Sequence, residues 1–178
     1  MPATRFPFDS EFYGLDAAPD EAAPSQGDHL VFEAGRLACA ACPTEVSEVI
    51  SVGRITPLPG TPPAVLGLFH HRGELIVAID AGRLLEPGPP DSQQRRRASA
   101  GPSSRLLLIR QGKHVTGLMV DSVVGILHLD GAPAAPEPPP APIASLCDGA
   151  VTHQGRTVLR LVVPSVLARI DTILGQRA

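Results

Sequence analysis

The sequence predicts a mainly β protein built from short strands. Short apolar segments rich in β-branched residues recur along the chain, and glycine-containing turns separate them. These segments do not alternate with long helical patterns, as they would in an α/β fold, and only the last segment has helical periodicity. Short strands with glycine turns at regular spacing indicate an all-β barrel architecture.

The first predicted strands form a hairpin followed by a less regular stretch. Residues 30–32 and 36–41 flank a predicted turn at 33–35, and residues 46–52 form the next strand. The segment 55–59 contains two prolines, which limit it to a sheet edge or a loop because proline has no amide hydrogen to donate.

The most informative segment is the second predicted hairpin. An apolar run from Val65 to Phe69 and a β-branched run from Leu75 to Ile79 lie on either side of Arg72-Gly73. This is the pattern of two strands joined by a tight turn with a charge at its tip. The following residues 81–85 predict one short helical turn, which the prolines of 87–90 end.

The second half of the chain predicts further strands and one helix. Strands are expected at 105–110, 114–120 and 122–129, and two more flank a turn at 153–155. Pro164-Ser165 suits a helix start, and Gly175 suits its end. Apolar residues then recur on one helical face, at Val166, Leu167, Ile170, Ile173 and Leu174. We expect this helix to pack across the barrels; a membrane-surface helix is the alternative, but Arg169 and Arg177 provide little cationic face.

Proline content divides the chain into a domain and its flexible parts. Of 20 prolines, 14 fall in residues 1–28, 86–104 and 132–142, so the prediction is an N-terminal tail at 1–28 and two flexible loops inside one domain at 29–176. No apolar run reaches the ~20 residues that span a bilayer, and no secretory signal is visible at the N-terminus. We therefore expect a cytoplasmic protein without direct membrane insertion.

The charge distribution argues against nucleic-acid binding. The net charge is −3; residues 1–28 carry −5 of it, so the remainder is only slightly positive at +2. The basic cluster at 95–97 lies in a Pro-, Gly- and Ser-rich loop, and the chain has no Trp and one Tyr to stack on bases. A solvated loop is the favoured interpretation.

Three cysteines raise the question of an enzyme or a metal site. Cys39 and Cys42 have redox-motif spacing, but no second pair completes a zinc set, and His70 and His71 would point to opposite faces of a strand. We expect the cysteines to be small buried apolar residues, with no metal and no cofactor. The rival hypothesis is an enzyme in which Cys42 or Cys147 is a nucleophile and His70, His71 or His153 its base.

The predicted tail is a possible docking segment. It holds Phe6, Phe8, Phe12, Tyr13 and Leu15 among acidic residues, with little else apolar before Leu30. Acidic-aromatic segments of this kind often fold onto a groove. An unstructured tail whose aromatic residues adhere weakly to its own domain is the alternative.

Four motifs, in order, resemble those of the CheW-like domain family. The first two are Val46-Ser47-Glu48-Val49 and Ile55-Thr56-Pro57-Leu58-Pro59. The third is the segment from Gly67 to Gly73 that ends in the Arg-Gly turn, and the fourth is Gly117-Leu118-Met119-Val120-Asp121-Ser122-Val123. The resemblance runs from about Leu30 to Leu174, and the order and spacing of the motifs carry it. Members of the family are adaptors that couple chemoreceptors to the histidine kinase CheA.

The resemblance implies a fold, partners and a site. The fold would be two intertwined five-stranded β-barrels with a groove between them and a C-terminal helix. The partners would be the regulatory domain of a CheA-like histidine kinase and the cytoplasmic tip of a chemoreceptor, and the protein would be no enzyme. Carried over by position, the partner-binding residues are Val46, Glu48, His70, His71, Arg72 and Gly73.

Two alternatives accompany this interpretation. A planar guanidinium at a tight turn suits recognition of a carboxylate or a carbonyl, but Arg72 and Glu48 would also be explained by a purely structural ion pair. In the same way, the domain could be a CheW-fold interaction module with a different or single partner outside a chemoreceptor array.

Overall fold

The computed structural model describes residues 27–86, 100–112, 114–129 and 143–175. The predicted tail, apart from its last two residues, lies outside the described residues, as do the loop 132–142 and residues 87–99 of the first predicted loop. The last residues of that loop are described: Ser104 is buried, and its hydroxyl oxygen accepts a hydrogen bond from the Gly101 amide at 3.0 Å.

Ten strands and two helices make up the described chain. Two short 3₁₀ turns, Pro43–Glu45 and Ile143–Leu146, precede the third and ninth strands. The strands are β1 (Asp28–Ala34), β2 (Leu37–Ala41), β3 (Val46–Ser51), β4 (Val65–His71), β5 (Glu74–Asp80), β6 (Arg105–Gln111), β7 (His114–Val120), β8 (Ser122–His128), β9 (Cys147–His153) and β10 (Arg156–Leu161); the helices are α1 (Ala81–Leu85) and α2 (Val163–Gly175).

The strands form two five-stranded sheets. The first has the order β8-β1-β2-β10-β9, and the second has the order β3-β6-β7-β5-β4. Each sheet is antiparallel except for one parallel pair, β2 with β10 in the first and β5 with β7 in the second. In the described chain, β1 and β2 belong to the first sheet, β3 to β7 form the whole second sheet, and β8 to β10 return to the first. The first sheet is therefore assembled from two separate pieces of sequence, whereas the second is continuous. The predicted mainly β class, with two five-stranded units and a C-terminal helix, is confirmed.

A shared core holds the two sheets together. Phe32 and Cys39 of the first sheet and Ile79 and Leu107 of the second belong to one cluster of buried side chains. Each sheet also has a smaller apolar cluster of its own, one around Val31, Ala40 and Val158 and one around Phe69, Ile76 and Leu106. Several strands are therefore buried by apolar side chains on both faces, which explains why their sequences are continuous apolar runs without polar alternation.

The C-terminal helix completes the shared core. Val166, Leu167 and Ile170 of α2 are buried in it, as the helical spacing of these residues predicts, and so is Val163 at the start of the helix. Leu174, which the spacing predicts on the same face, is 39% exposed because it lies in the last turn of the helix. The expectation that this helix packs on the sheets is confirmed. No helix in the described ranges is long and apolar enough to cross a membrane.

Helix α1 is anchored by a buried ion pair. The Asp80 carboxylate caps the helix by accepting a hydrogen bond from the Arg83 amide at 3.0 Å, and the Arg83 guanidinium lies 3.3 Å from the same carboxylate. That guanidinium also donates to the Pro63 carbonyl at 2.9 Å. Both residues are buried, and together they attach α1 to the segment that leads into β4.

The first hairpin differs from its prediction. Glu33 and Ala34 belong to β1 rather than to the turn, which consists of Gly35 and Arg36. The reason is pairing: Glu33 is the partner of Ala38, and Ala34 is the partner of Leu37, so the ladder continues two residues further than the glycine signal indicates.

Candidate partner-binding site

The site begins with the two-residue turn between β4 and β5. Arg72 has φ +48° and Gly73 has φ +88°. Positive φ at both central residues defines a type I′ hairpin turn, whose twist matches that of the flanking strands. Glycine adopts this conformation freely, but for a residue with a Cβ the left-handed region costs about 1–2 kcal/mol. The turn therefore holds an arginine where Asn, Asp or Gly is the usual residue.

The Arg72 side chain contacts one carboxylate. Its Nη1 donates to Glu48 Oε1 at 2.9 Å, while 74% of the side chain is exposed to solvent. Nε2 of His71 lies 3.3 Å from Glu48 Oε2. Both oxygens of Glu48 thus have a partner, whereas most of the Arg72 side chain still faces solvent. An exposed pair of this kind is worth only about 0–1 kcal/mol of stability.

These contacts join opposite edges of the second sheet. Glu48 is on β3 and His71 is on β4, the two outermost strands of the sheet order. The edges meet a second time where Thr56 and Leu68 exchange backbone hydrogen bonds of 2.7 and 2.9 Å. The second sheet therefore curls until its edges touch, which brings Glu48 into contact with His71 and Arg72, 23 and 24 positions further along the sequence.

The structure places the remaining predicted site residues on and beside strands β3 and β4. His70 is exposed and His71 is half-buried, consistent with the prediction that adjacent strand residues point to opposite faces. Val46 is half-buried and packs against the shared core. It would therefore contact a partner at the rim of the binding surface and not at its centre. The predicted docking residues Phe8, Phe12, Tyr13 and Leu15 lie outside the described residues.

One surface residue was missed by the sequence analysis. Leu75 is 71% exposed, and it is the register partner of His70, so the two side chains lie on the same face beside the Arg72 turn. A signal for it exists in the sequence, because a two-residue turn fixes the hairpin register and pairs position 75 with position 70. We refer to Glu48, His70, Arg72 and Leu75 as the turn surface.

The cysteines do not form a nucleophilic site. Burial raises the pKa of the Cys39 thiol strongly, and burial together with Asp148 raises the pKa of Cys147 to about 11. A nucleophilic cysteine requires the opposite shift. The expectation that all three are buried is right for Cys39, while Cys147 is only half-buried. It is wrong for Cys42, which is exposed because it follows the last residue of β2. The Cys42 sulfur lies 3.0 Å from the Thr44 hydroxyl, which is not a base.

The described residues also show no metal centre. Within these ranges, no three His, Cys, Asp or Glu side chains are close enough together to hold a metal ion. The arrangement at the end of the hairpin instead combines the Glu48 carboxylate with the Arg72 guanidinium and the His71 imidazole, and the exposed His70 and Leu75 lie on the other face of the strands. Such a set can bind another protein by charge-assisted hydrogen bonds around an apolar contact.

Comparison with known proteins matches this chain to one family. The model of the CheW-like domain matches residues 28–171. Protein FrzA of Myxococcus xanthus is 33% identical to the chain over 125 residues, which are 68% of this chain and 73% of FrzA. Among solved structures, the scaffolding protein TtCheW from Thermoanaerobacter tengcongensis has a TM-score of 0.63 at 21% identity, over 83% of this chain and 91% of that chain. At this identity the last comparison is a likeness of fold.

Proposed function

Because the chain belongs to the CheW-like domain family, we propose that it is a non-catalytic adaptor that couples chemoreceptors to a CheA-type histidine kinase. Its partners are the regulatory domain of the kinase and the cytoplasmic tip of the receptor. The turn surface is the part of the adaptor that we assign to these contacts.

The exposure of Arg72 is the observation that carries this proposal. Although Arg72 pairs with Glu48, 74% of its side chain remains exposed, so most donors of its planar fork are open to a partner. The pairing holds the guanidinium in one orientation before binding, which lowers the entropy lost on association. The strained backbone at Arg72 fits a residue retained for recognition, because the turn itself would be more stable with Asn or Gly.

The chemistry of the turn surface also fits a protein partner. Leu75 supplies an exposed apolar contact beside His70, and Val49 of β3 is 43% exposed. An apolar contact bordered by charged and polar groups is the usual arrangement of a protein interface.

The test is direct binding of the full chain to its two proposed partners. Calorimetry with the purified kinase regulatory domain, and separately with a receptor cytoplasmic fragment, should give saturable binding to each. A mixture of all three should then give one complex on size-exclusion chromatography. Binding to neither fragment would contradict the proposal.

A second candidate is a CheW-fold module that serves a single partner outside a receptor array. His70-His71 favours it, because these residues stand where the family pattern has Asn-Leu beside the Arg-Gly turn. Saturable binding to only one of the two fragments, with no three-component complex, would support this second function instead.

A further inference from the structure

Strand β8 carries an exposed apolar strip that no described residue covers. Val124 is 45% exposed and Ile126 is 59% exposed, on a strand at the end of the first sheet. Ile126 is the register partner of Leu30, which is buried in the shared core, so the two side chains lie on the same face. Ile126 thus continues the core outward to the sheet edge, and Val124 lies close to it at the bulge of β8, where the register shifts. We call these two exposed residues the β8 strip.

The strip lies next to the first described residues of the chain, Gly27 and Asp28. Asp28 is the register partner of His128, and its carboxylate lies 2.8 Å from the His128 ring. The Leu129 amide donates to the Gly27 carbonyl at 2.9 Å. Both contacts attach the start of β1 to the end of β8. The 26 residues that precede Gly27 are therefore tethered beside β8 and two register positions from Ile126.

The preceding residues have the composition that the strip requires. Five large apolar side chains occur within ten residues, at Phe6, Phe8, Phe12, Tyr13 and Leu15. The 12 residues from Leu15 to Gly27 reach up to about 40 Å when extended, whereas the seven residues of β8 cover about 23 Å. Every position on β8 is therefore within reach.

We propose that residues 6–15 dock on the β8 strip of the same chain. The aromatic side chains cover Val124 and Ile126, and the open edge of β8 offers backbone groups for an added strand. A tether of about 12 residues gives an effective concentration of about 1 mM. An intrinsic affinity of only about 1 mM would therefore occupy the strip about half of the time, whereas a second copy at micromolar concentration would leave it almost empty.

A spin label placed in the tail tests this contact without reference to any partner. The background is Cys42→Ser with Cys147→Ala, the label is attached to Ser10→Cys, and NMR records the amide signals of the full chain. We expect strong broadening along β8 and little along β9, the opposite edge of the same sheet. Equal or absent broadening along the two strands would overturn the proposal.

Matched variants and mixing experiments separate the possible occupants. Ile126→Glu should remove the broadening, while Leu75→Glu, an exposed apolar position on the other sheet, should leave it unchanged. Phe12→Ser combined with Tyr13→Ser should also remove it, and these tail substitutions lie outside the described domain. In the mixing experiment, protein without the spin label is observed by NMR in the presence of spin-labelled protein. Broadening of its β8 amide signals would assign the contact to a second copy and overturn the intramolecular proposal.

Discussion

Glu48 of edge strand β3 and Arg72, in the turn that follows the opposite edge strand β4, meet through a hydrogen bond of 2.9 Å. The pair therefore performs two roles that experiments can separate. It joins two edges of a curled sheet, and it presents an arginine whose side chain is mostly exposed. The first role predicts an effect on stability, and the second predicts an effect on partner binding.

Removal of the Arg72 side chain should impair binding far more than folding. Arg72→Ala should weaken binding to the kinase regulatory domain or receptor tip by about 1–2 kcal/mol, the value of a charge-assisted hydrogen bond, or roughly 5- to 30-fold. Stability should fall by less than about 1 kcal/mol because the pair is exposed. Arg72→Lys should restore only part of the affinity, since an ammonium lacks the planar fork. Calorimetry and chemical unfolding measure the two effects.

Arg156 provides the matched control for this experiment. It is also an exposed arginine, and it pairs with Glu33 at 3.0 Å on the other sheet. Arg156→Ala should have a similarly small effect on stability and none on affinity. If Arg72→Ala instead lowers stability by about 2 kcal/mol with unchanged affinity, the ion pair is purely structural.

The backbone strain at Arg72 gives a second prediction. Arg72→Asn should keep or raise the free energy of unfolding, by up to about 1 kcal/mol, because Asn tolerates the positive φ of a type I′ turn. It should still reduce affinity, because the guanidinium is lost. Urea unfolding and calorimetry on the same preparation check this. A destabilised Asn variant would mean that the Glu48 contact contributes more than the relief of strain.

Loss of the buried carboxylate of Asp80 should be much more costly. Asp80→Ala removes the cap of α1 and leaves the buried Arg83 guanidinium without its partner carboxylate. Breaking a buried pair typically costs about 3–5 kcal/mol. Asp148→Ala is the control, because Asp148 pairs with Arg160 at 2.9 Å on an exposed surface, and its loss should cost less than about 1 kcal/mol. Equal midpoints of unfolding for the two variants would contradict this expectation.

Substitution of Gly67 by alanine should destabilise the fold strongly, whereas the same substitution at Gly73 should have a small effect. Gly67 has φ +142°, and a Cβ there would overlap the Thr56 carbonyl group, whereas a Cβ at Gly73 would meet open space. Gly67→Ala should therefore break the Thr56–Leu68 bridge and cost about 3 kcal/mol or more. Gly73→Ala should cost about 1 kcal/mol, from backbone conformation alone. Hydrogen exchange at the Thr56 and Leu68 amides reports whether the bridge is lost.

Thiol labelling should distinguish the three cysteines. Cys42 is exposed, Cys39 is buried, and the pKa of Cys147 is raised to about 11. At pH 8 only about one in a thousand Cys147 thiols is ionised, and the thiolate is the reactive form. We expect one rapidly modified thiol per folded chain, and none after Cys42→Ser. Cys147 should become reactive as the pH approaches 11. Rapid modification of two thiols at pH 8 would show that Cys147 is less protected than its surroundings indicate.

The sequence by itself determined the class of the fold and most of its elements. Glycine turns between β-branched runs located the hairpins, and the spacing from Val166 to Ile170 located the buried face of α2, because these signals depend only on near neighbours in the chain. The pattern at Arg72-Gly73 was sufficient to predict a tight turn with an exposed charge.

Only the tertiary structure decided which residues meet across the sheets. The curl of the second sheet brings His71 onto Glu48, and the edge position of β8 leaves Ile126 exposed although its register partner Leu30 is buried. Exposure at such positions depends on what packs against a strand from other parts of the chain. Local sequence patterns contain no information about that packing, so an apolar run looks the same at a sheet edge as in the core.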